Sequence, residues 1–194
     1  ERKMSVIDGL KTGPIAENTI DANEQHYEVP ADYFKAVLGP KLKYSCCWFD
    51  DESVSLGEAE IKMMESYLER AKIEDGQMIL DLGCGWGSLS LFLAERFPNS
   101  AIYSVSNSND QIEHIKNIAK EKNLENLHPE VQDVNSLTLN QQFDRVVSIE
   151  MFEHMRNYEA LLQKVKHLLK PDGLLFIHIF CHKETAYLLS LIHI

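Results

Sequence analysis

Basic clusters are missing from this sequence. It holds 19 Lys and Arg against 30 Asp and Glu, a net charge of −11 over 194 residues, and no basic run exceeds "KLK" at 41–43. A chain this acidic repels phosphate backbones unless it carries a basic stripe, so nucleic acid is not an expected partner. Cysteine is sparse: Cys46, Cys47, Cys84 and Cys181 include no C-x-x-C pair. That spacing excludes the familiar zinc motifs, and no metal site is expected. Adjacent Cys46 and Cys47 are badly placed to bridge each other, so the expectation is a reduced, cytoplasmic protein. No apolar signal core stands in "ERKMSVIDGL". The most apolar stretch, "LLFIHIFCHKETAYLLSLIHI", is interrupted by His178, His182, Lys183 and Glu184, too many polar groups for a span of about 20 apolar residues. Internal repeats and low-complexity segments are absent as well.

What is present is an ordinary globular composition, 44% hydrophobic and 25% charged, in a chain long enough for one domain with a sizeable core. Residues 1–26 are polar, lack a clear period and read as an N-terminal arm. Residues 27–72 are aromatic-rich, are punctuated by Pro30, Gly39 and Pro40, and end in a helical pattern with Ile61, Met64, Tyr67, Leu68 and Ala71 on one face and Ser53 or Ser55 as cap. Met63 and Met64 read as core filling. From residue 73 a rhythm of strand and helix begins: "QMILDLG", "SLSLFLAERF", "AIYSVS", "NDQIEHIKNIAKEKNL", "PEVQDV", "FDRVVSI", "NYEALLQKVKHLLK" ended by "PDG", and "LLFIHIF". Strands alternating with helices predict an α/β fold, a doubly wound parallel sheet with a helical N-terminal cap, and a ligand at the carboxyl ends of the strands.

The first strand runs into "DLGCGWG". Gly83, Gly85 and Gly87 there let the backbone turn sharply and approach a ligand where a Cβ would collide. The spacing is G-x-G-x-G rather than the dinucleotide fingerprint G-x-G-x-x-G, and no acid ends the second strand, so a nicotinamide oxidoreductase is disfavoured.

"ILDLGCGWGSLSLFLA" resembles the first motif of class I S-adenosylmethionine-dependent methyltransferases. "SVSNSNDQ" after the second strand is similar to the T/S-x-S-x-x-Q pattern of the cyclopropane fatty acid synthase group, matched by Ser106, Ser108 and Gln111. "KYSCCWF" resembles the run that precedes the core in that group, with Tyr44, Ser45 and Cys46 in register. "IEMFEHMRN" and "CHKET" resemble stretches of its plant relatives, the coclaurine N-methyltransferases. The resemblance runs from about residue 26 to residue 187. It implies S-adenosylmethionine as cofactor, held by Tyr44, Ser45, Asp81, Gly83, Gly85, Trp86, Gly87, Ser106, Ser108, Gln111 and Asp133. Trp86 would cover the cofactor or simply pack as a core aromatic.

Behind the fourth strand, "SIEMFEHM" puts Glu150, Glu153 and His154 within five positions. If a helix follows the strand, residues three and four apart share a side and all three groups point into one space. The bland alternative is a pair of carboxylates solvating a helix start. The N-methyltransferase resemblance implies that all three take part in catalysis, removing the proton that blocks an amine's lone pair. The synthase resemblance implies instead a bicarbonate held by Cys46, Glu153 and His178, which takes a proton from a cationic lipid intermediate; that branch usually has glycine where Glu150 stands. The chain carries marks of both. Its expected function is methyl transfer to a small amine or similar nucleophile, with methylene transfer to an unsaturated lipid, or a non-catalytic cofactor-binding module, as alternatives. The acidic surface gives no support for docking to an anionic membrane, so peripheral membrane contact and oligomeric state stay open.

The resemblance also implies two further strands after "LLFIHIF". The core at 73–187 is therefore expected to be truncated, with "LLSLIHI" at 188–194 as a tail outside the family pattern.

Overall fold

The computed structural model describes residues 2–17, 31–181 and 183. The expected tail, the end of the arm, the start of the cap at 27–30, and His182, Glu184 and Thr185 of "CHKET" lie outside the described residues. Among the described residues three helices precede the sheet: α1 (Arg2–Gly9), α2 (Ala31–Val37) and α3 (Leu56–Ala71). Then follow β1 (Met78–Leu82), α4 (Ser88–Arg96), β2 (Ala101–Ser106), α5 (Asn109–Glu121), β3 (Leu127–Val131), β4 (Phe143–Ile149), α6 (Tyr158–Leu168) and β5 (Leu169–His178).

Among the described residues the strands form one sheet in the order β3-β2-β1-β4-β5. Every pairing is parallel. Such a sheet needs helices on both faces, which explains why β1 reads as an uninterrupted apolar run and why Ile79, Leu80 and Leu82 are all buried. One core lies between the sheet and α3, α4 and α5, with Met64, Leu93, Ile102 and Ile115 at its centre; a second lies under α6, around Phe143, Phe152 and Leu161. Each such fully buried side chain contributes about 1.5–3 kcal/mol. The chain winds outward in both directions from β1 and β4, so the crevice for a ligand opens at the carboxyl ends of these two strands.

Helix α3 starts on a capping box: Ser55 Oγ accepts from Glu58 N–H and the Glu58 carboxylate accepts from Ser55 N–H. Of its expected apolar face, Met64, Tyr67, Leu68 and Ala71 are buried. Ile61 is not, because Ala59 and Glu60 take the inward positions at that end.

Two expectations need correction. Strand β5 begins at Leu169, directly after α6, so "PDG" does not separate helix from strand. Pairing with β4 jumps from Phe143↔Leu169 to Arg145↔Leu174, and residues 170–173 form a bulge within the strand. The arm is also less detached than its polarity implies. Ile15 and Ala16 are buried, and Asn135 holds Ala16 through both its side-chain oxygen (3.1 Å) and its nitrogen (3.0 Å). Arg156 N–H adds a bond to the Ile15 carbonyl at 2.7 Å. Among the described residues no helix is long and apolar enough to cross a membrane.

Candidate functional site

A cavity of about 390 Å³ opens at the ends of β1 and β4. A second of about 130 Å³ shares its wall at Gly83, Gly85, Gln111, Glu150 and His154 and extends past Ser106. The glycine loop forms the floor. Gly83, Gly85 and Gly87 all have positive φ, of 87°, 53° and 83°, but they are glycines for different reasons. A Cβ on Gly83 would meet the Met151 side chain at 2.7 Å and one on Gly87 would meet Ile115 at 2.5 Å, whereas one on Gly85 would meet nothing within 4 Å. Gly85 therefore faces the space a ligand would fill, while Gly87 serves the packing of α4 against α5.

Asp81 lines the cavity and is only 2% exposed. Ser90 Oγ donates to it at 2.6 Å. Burial nevertheless pushes its carboxyl up to about 6, with Ser90 and the more distant Lys43 ammonium pulling the other way.

After β2, Ser106 Oγ donates to Gln111 Oε1 at 2.7 Å, and Ser108 accepts from Gln111 N–H as the N-cap of α5. The amide of Gln111 is thus fixed with its oxygen engaged, and its buried Nε2 has no hydrogen-bond acceptor among the described residues although the residue lines both cavities. Ser108 holds the helix that presents Gln111. Asp133 lies between Gln132 and Val134, both wall residues of the smaller cavity, and its carboxylate accepts from Asn135 N–H. Trp86 is buried between Phe34 and His114, with ring centroids 4.9 and 5.4 Å away, and lines the main cavity.

The loop before α3 supplies the opposite wall. Buried Glu60 fixes it by accepting from the N–H groups of Lys41 and Lys43, each at 3.0 Å. Tyr44 and Ser45 line the cavity from this loop. Lys43 is 5% exposed and lines the cavity too. Its Nζ contacts Ser45 Oγ and donates to Tyr67 Oη at 3.1 Å; burial lowers its pKa, partly offset by Cys47, Cys46 and the acids nearby.

The segment after β4 is not the helix that the spacing predicts. Glu150 turns into the left-handed region at φ 50°, its N–H bound to the His178 carbonyl at 2.6 Å. A three-residue 3₁₀ turn, Phe152–His154, follows. Phe152 is buried in the second core, and its carbonyl accepts from Tyr158 Oη at 2.6 Å. This anchor divides the triplet: Glu150 and His154 line both cavities, and Glu153 lines neither. The Glu153 carboxylate oxygens are buried. Burial raises the pKa, while the backbone N–H groups of Glu153 and Phe180 act the other way.

Cys46 and His178 come together as the synthase resemblance implies, but with Glu150 rather than Glu153. Glu150 Oε1 accepts from Cys46 N–H at 3.1 Å, and Cys46 Sγ lies 3.8 Å from His178 Nε2. The other ring nitrogen, Nδ1, is 2.9 Å from Tyr67 Oη. Burial lowers the His178 pKa and raises that of the Cys46 thiol. Sequence reasoning missed Lys43 and Tyr67 as parts of this wall. A tyrosine in an otherwise apolar helical stripe was the available signal, since a buried hydroxyl needs a polar partner.

The pattern of the mycolic acid cyclopropane synthetase family matches residues 16–190. The chain is 42% identical over 184 residues to (S)-coclaurine N-methyltransferase of Thalictrum flavum subsp. glaucum, covering 95% of this chain and 51% of that protein. It is 32% identical over 164 residues to cyclopropane-fatty-acyl-phospholipid synthase of Escherichia coli (strain K12), covering 84% and 41%. A crystal structure of coclaurine N-methyltransferase bound to N-methylheliamine and SAH matches with a TM-score of 0.92 and 41% identity over 95% of this chain and 53% of that one. Mycolic acid cyclopropane synthase CmaA1, complexed with SAH and CTAB, matches with a TM-score of 0.75 and 26% identity over 84% and 57%. The chain spans about half the length of the curated relatives it matches. With a doubly wound sheet, a glycine loop at its switch point and a family pattern matched over most of its length, the chain belongs to the mycolic acid cyclopropane synthetase family.

Proposed function

We propose that the cavity binds S-adenosylmethionine and that the protein transfers its methyl group to a small amine or similar nucleophile. The walls suit such a cofactor. Gln111 Nε2 is a buried donor with no acceptor among the described residues, fitted to a ribose hydroxyl; Gly85 leaves room at the floor; and Asp81 offers a buried carboxylate to a ligand ammonium. Tyr44, Ser45, Gly83, Trp86 and Ser106 complete the holding set. Ser108 and Gly87 act through the packing and capping of α5, and Asp133 stands at the rim. When bound, S-adenosylmethionine supplies an electrophilic methyl group on a sulfonium.

The observation that carries the amine reading is the position of Glu150. Its carboxylate is on the cavity wall, oriented by Cys46 N–H and backed by the Glu150 N–H bond to His178. An amine acceptor must lose a proton to expose its lone pair, and Glu150 is fitted to receive it, with His154 on the same wall to pass it on or to orient the acceptor. Glu153, behind the wall, is better suited to holding the turn than to touching the acceptor. Of the two effects, alignment can supply roughly 7–11 kcal/mol and a general base about 10²–10⁴-fold in rate, so the wall matters chiefly by positioning. Residues 27–72 act as the cap of this site and 73–187 as its cofactor-binding core.

The residues do not fit a bound bicarbonate. Glu150 already sets a carboxylate beside Cys46 N–H and the His178 ring, and a second anion there would be repelled.

The test is calorimetric titration with S-adenosylhomocysteine, followed by an acceptor screen of amines and unsaturated lipids with S-adenosylmethionine. One-site binding with methylation of an amine supports the reading. Binding without turnover on any acceptor would favour a non-catalytic module, and no binding by the folded chain would overturn the cofactor assignment.

A further inference from the structure

Cys46, Glu150 and His178 come from three segments far apart in sequence, yet one donor atom of each lies within 4.8 Å of the other two. The thiol sulfur and the imidazole Nε2 are 3.8 Å apart. At a tetrahedral zinc ion, bonds of about 2.3 Å to sulfur and about 2.0 Å to nitrogen separate these two donors by about 3.5 Å, so a small side-chain adjustment brings both into reach. The donor set suits the same metals: a soft thiolate, an imidazole and one carboxylate match zinc-class ions and are a poor match for Mg²⁺ or Ca²⁺.

The surroundings are built for such an ion in two further respects. Tyr67 Oη, 2.9 Å from His178 Nδ1, holds the ring with Nε2 facing the sulfur, which is the outer-shell arrangement that orients a metal-bound histidine. Cys46 is exposed, which gives the ion a path of entry and leaves its fourth position to water. Charge also balances: a thiolate and a carboxylate together offset a divalent cation. Lys43, the nearest buried cation, directs its Nζ to Ser45 and Tyr67 rather than into the triangle.

We propose that Cys46, Glu150 and His178 bind a divalent transition metal of the zinc class beside the cavity, whose wall Glu150 shares. Binding displaces the thiol proton to solvent and forms one bond to each of Sγ, Nε2 and a Glu150 oxygen, with no change of oxidation state. The metal site stands on these three donors and does not depend on the methyl-transfer reading. Its consequence, reversible inhibition because the metal takes the carboxylate that would accept the amine proton, does rest on that reading.

The experiment is a Co²⁺ titration of the reduced protein in a buffer free of chelators, followed by absorption spectroscopy. The expected result is one equivalent bound, with a thiolate-to-cobalt charge-transfer band in the near-ultraviolet that Zn²⁺ abolishes on displacing the cobalt. Cys46→Ser should remove the band, and Tyr67→Phe should weaken binding about 10- to 100-fold. Circular dichroism checks the folding of both variants; should either unfold, protection of Cys46 in the unaltered protein from alkylation by added Zn²⁺ decides the matter. A folded protein without the band, a band that survives in Cys46→Ser, or Cys46 alkylated equally fast with Zn²⁺ present would each overturn the proposal. Titration with S-adenosylhomocysteine in metal-free buffer reads the cofactor assignment separately, so either can fail alone.

Discussion

Glu150 and His178 meet through both backbone and side chain. The N–H of Glu150 donates to the His178 carbonyl at 2.6 Å, and the two side chains converge with Cys46 beside the cavity that Glu150 lines. The left-handed φ of 50° at Glu150 makes both contacts compatible, because it turns the chain out of β4 while keeping its N–H on β5. A non-glycine residue in that conformation costs on the order of 1 kcal/mol, and the bond to His178 helps to offset it.

Glu150→Gln keeps the size of the side chain and an oxygen that can accept from Cys46 N–H, but removes the base. Turnover of an amine acceptor should fall by about 10²–10⁴-fold with affinity for S-adenosylhomocysteine changed less than about threefold. Steady-state rates and calorimetry on one preparation check both halves. Loss of cofactor affinity equal to the loss of rate would place Glu150 in the cofactor's binding set instead.

The two outer-loop glycines should respond differently to the same change. Gly87→Ala drives a Cβ into Ile115, which is fully buried in the first core, at a residue with φ 83°, and should lower stability by about 2 kcal/mol or more. Gly85→Val meets no protein atom at its Cβ, so its cost to folding is the backbone strain of a β-branched residue at φ 53°, about 1–3 kcal/mol, and the folded variant should fail to bind S-adenosylhomocysteine because the side chain occupies the floor. Thermal melts and calorimetry on the two variants test the contrast. Normal cofactor binding by Gly85→Val would refute the loop assignment.

The sheet was legible because periodicity and turn residues act locally: "AIYSVS" and "FDRVVSI" coincide with β2 and β4. The site was legible in composition but not in arrangement. Glu150, Glu153 and His154 share a face only if their segment is helical, and Phe152, anchored in the core by a contact distant in sequence, makes it a 3₁₀ turn instead. Tyr67 and Lys43 escaped notice for a related reason. Their contacts cross between elements: Lys43, in the loop before α3, reaches Tyr67 on α3, and Tyr67 meets His178 only once β5 is paired.

Asp81 predicts a pH dependence of cofactor binding. Its folded carboxyl is pushed up to about 6, so in the free protein it is protonated over a range in which an unfolded chain would already be ionised. A ligand ammonium requires the ionised form. Affinity for S-adenosylhomocysteine should therefore be flat above about pH 7 and decline toward tenfold per unit below about 6. The sign for folding is opposite. The native state holds this proton more tightly than the unfolded state between about pH 4 and 6, so the contribution of Asp81 to stability falls as pH rises through that window, by up to about 3 kcal/mol. Asp81→Asn should remove both dependences, read by calorimetry and by denaturant titration across the range.

The arm closes one side of the cavity, with Ala16 and Glu17 among its walls. Two bonds from the Asn135 side chain clamp Ala16 at both its N–H and its carbonyl, and Ile15 is buried against the second core. Asn135→Ala removes both bonds at once and leaves two backbone groups short of a partner, which typically costs about 1–3 kcal/mol for the segment concerned. Because the sheet and its two cores do not depend on Asn135, the loss should appear as local opening rather than global unfolding. Hydrogen exchange of residues 15–17 should accelerate while β1 and β4 stay protected, and affinity for S-adenosylhomocysteine should fall by up to about tenfold as the wall loosens. Unchanged exchange in the arm with intact binding would mean that Ile15 alone seats the segment, and that the arm closes the cavity by apolar packing without the help of its polar clamp.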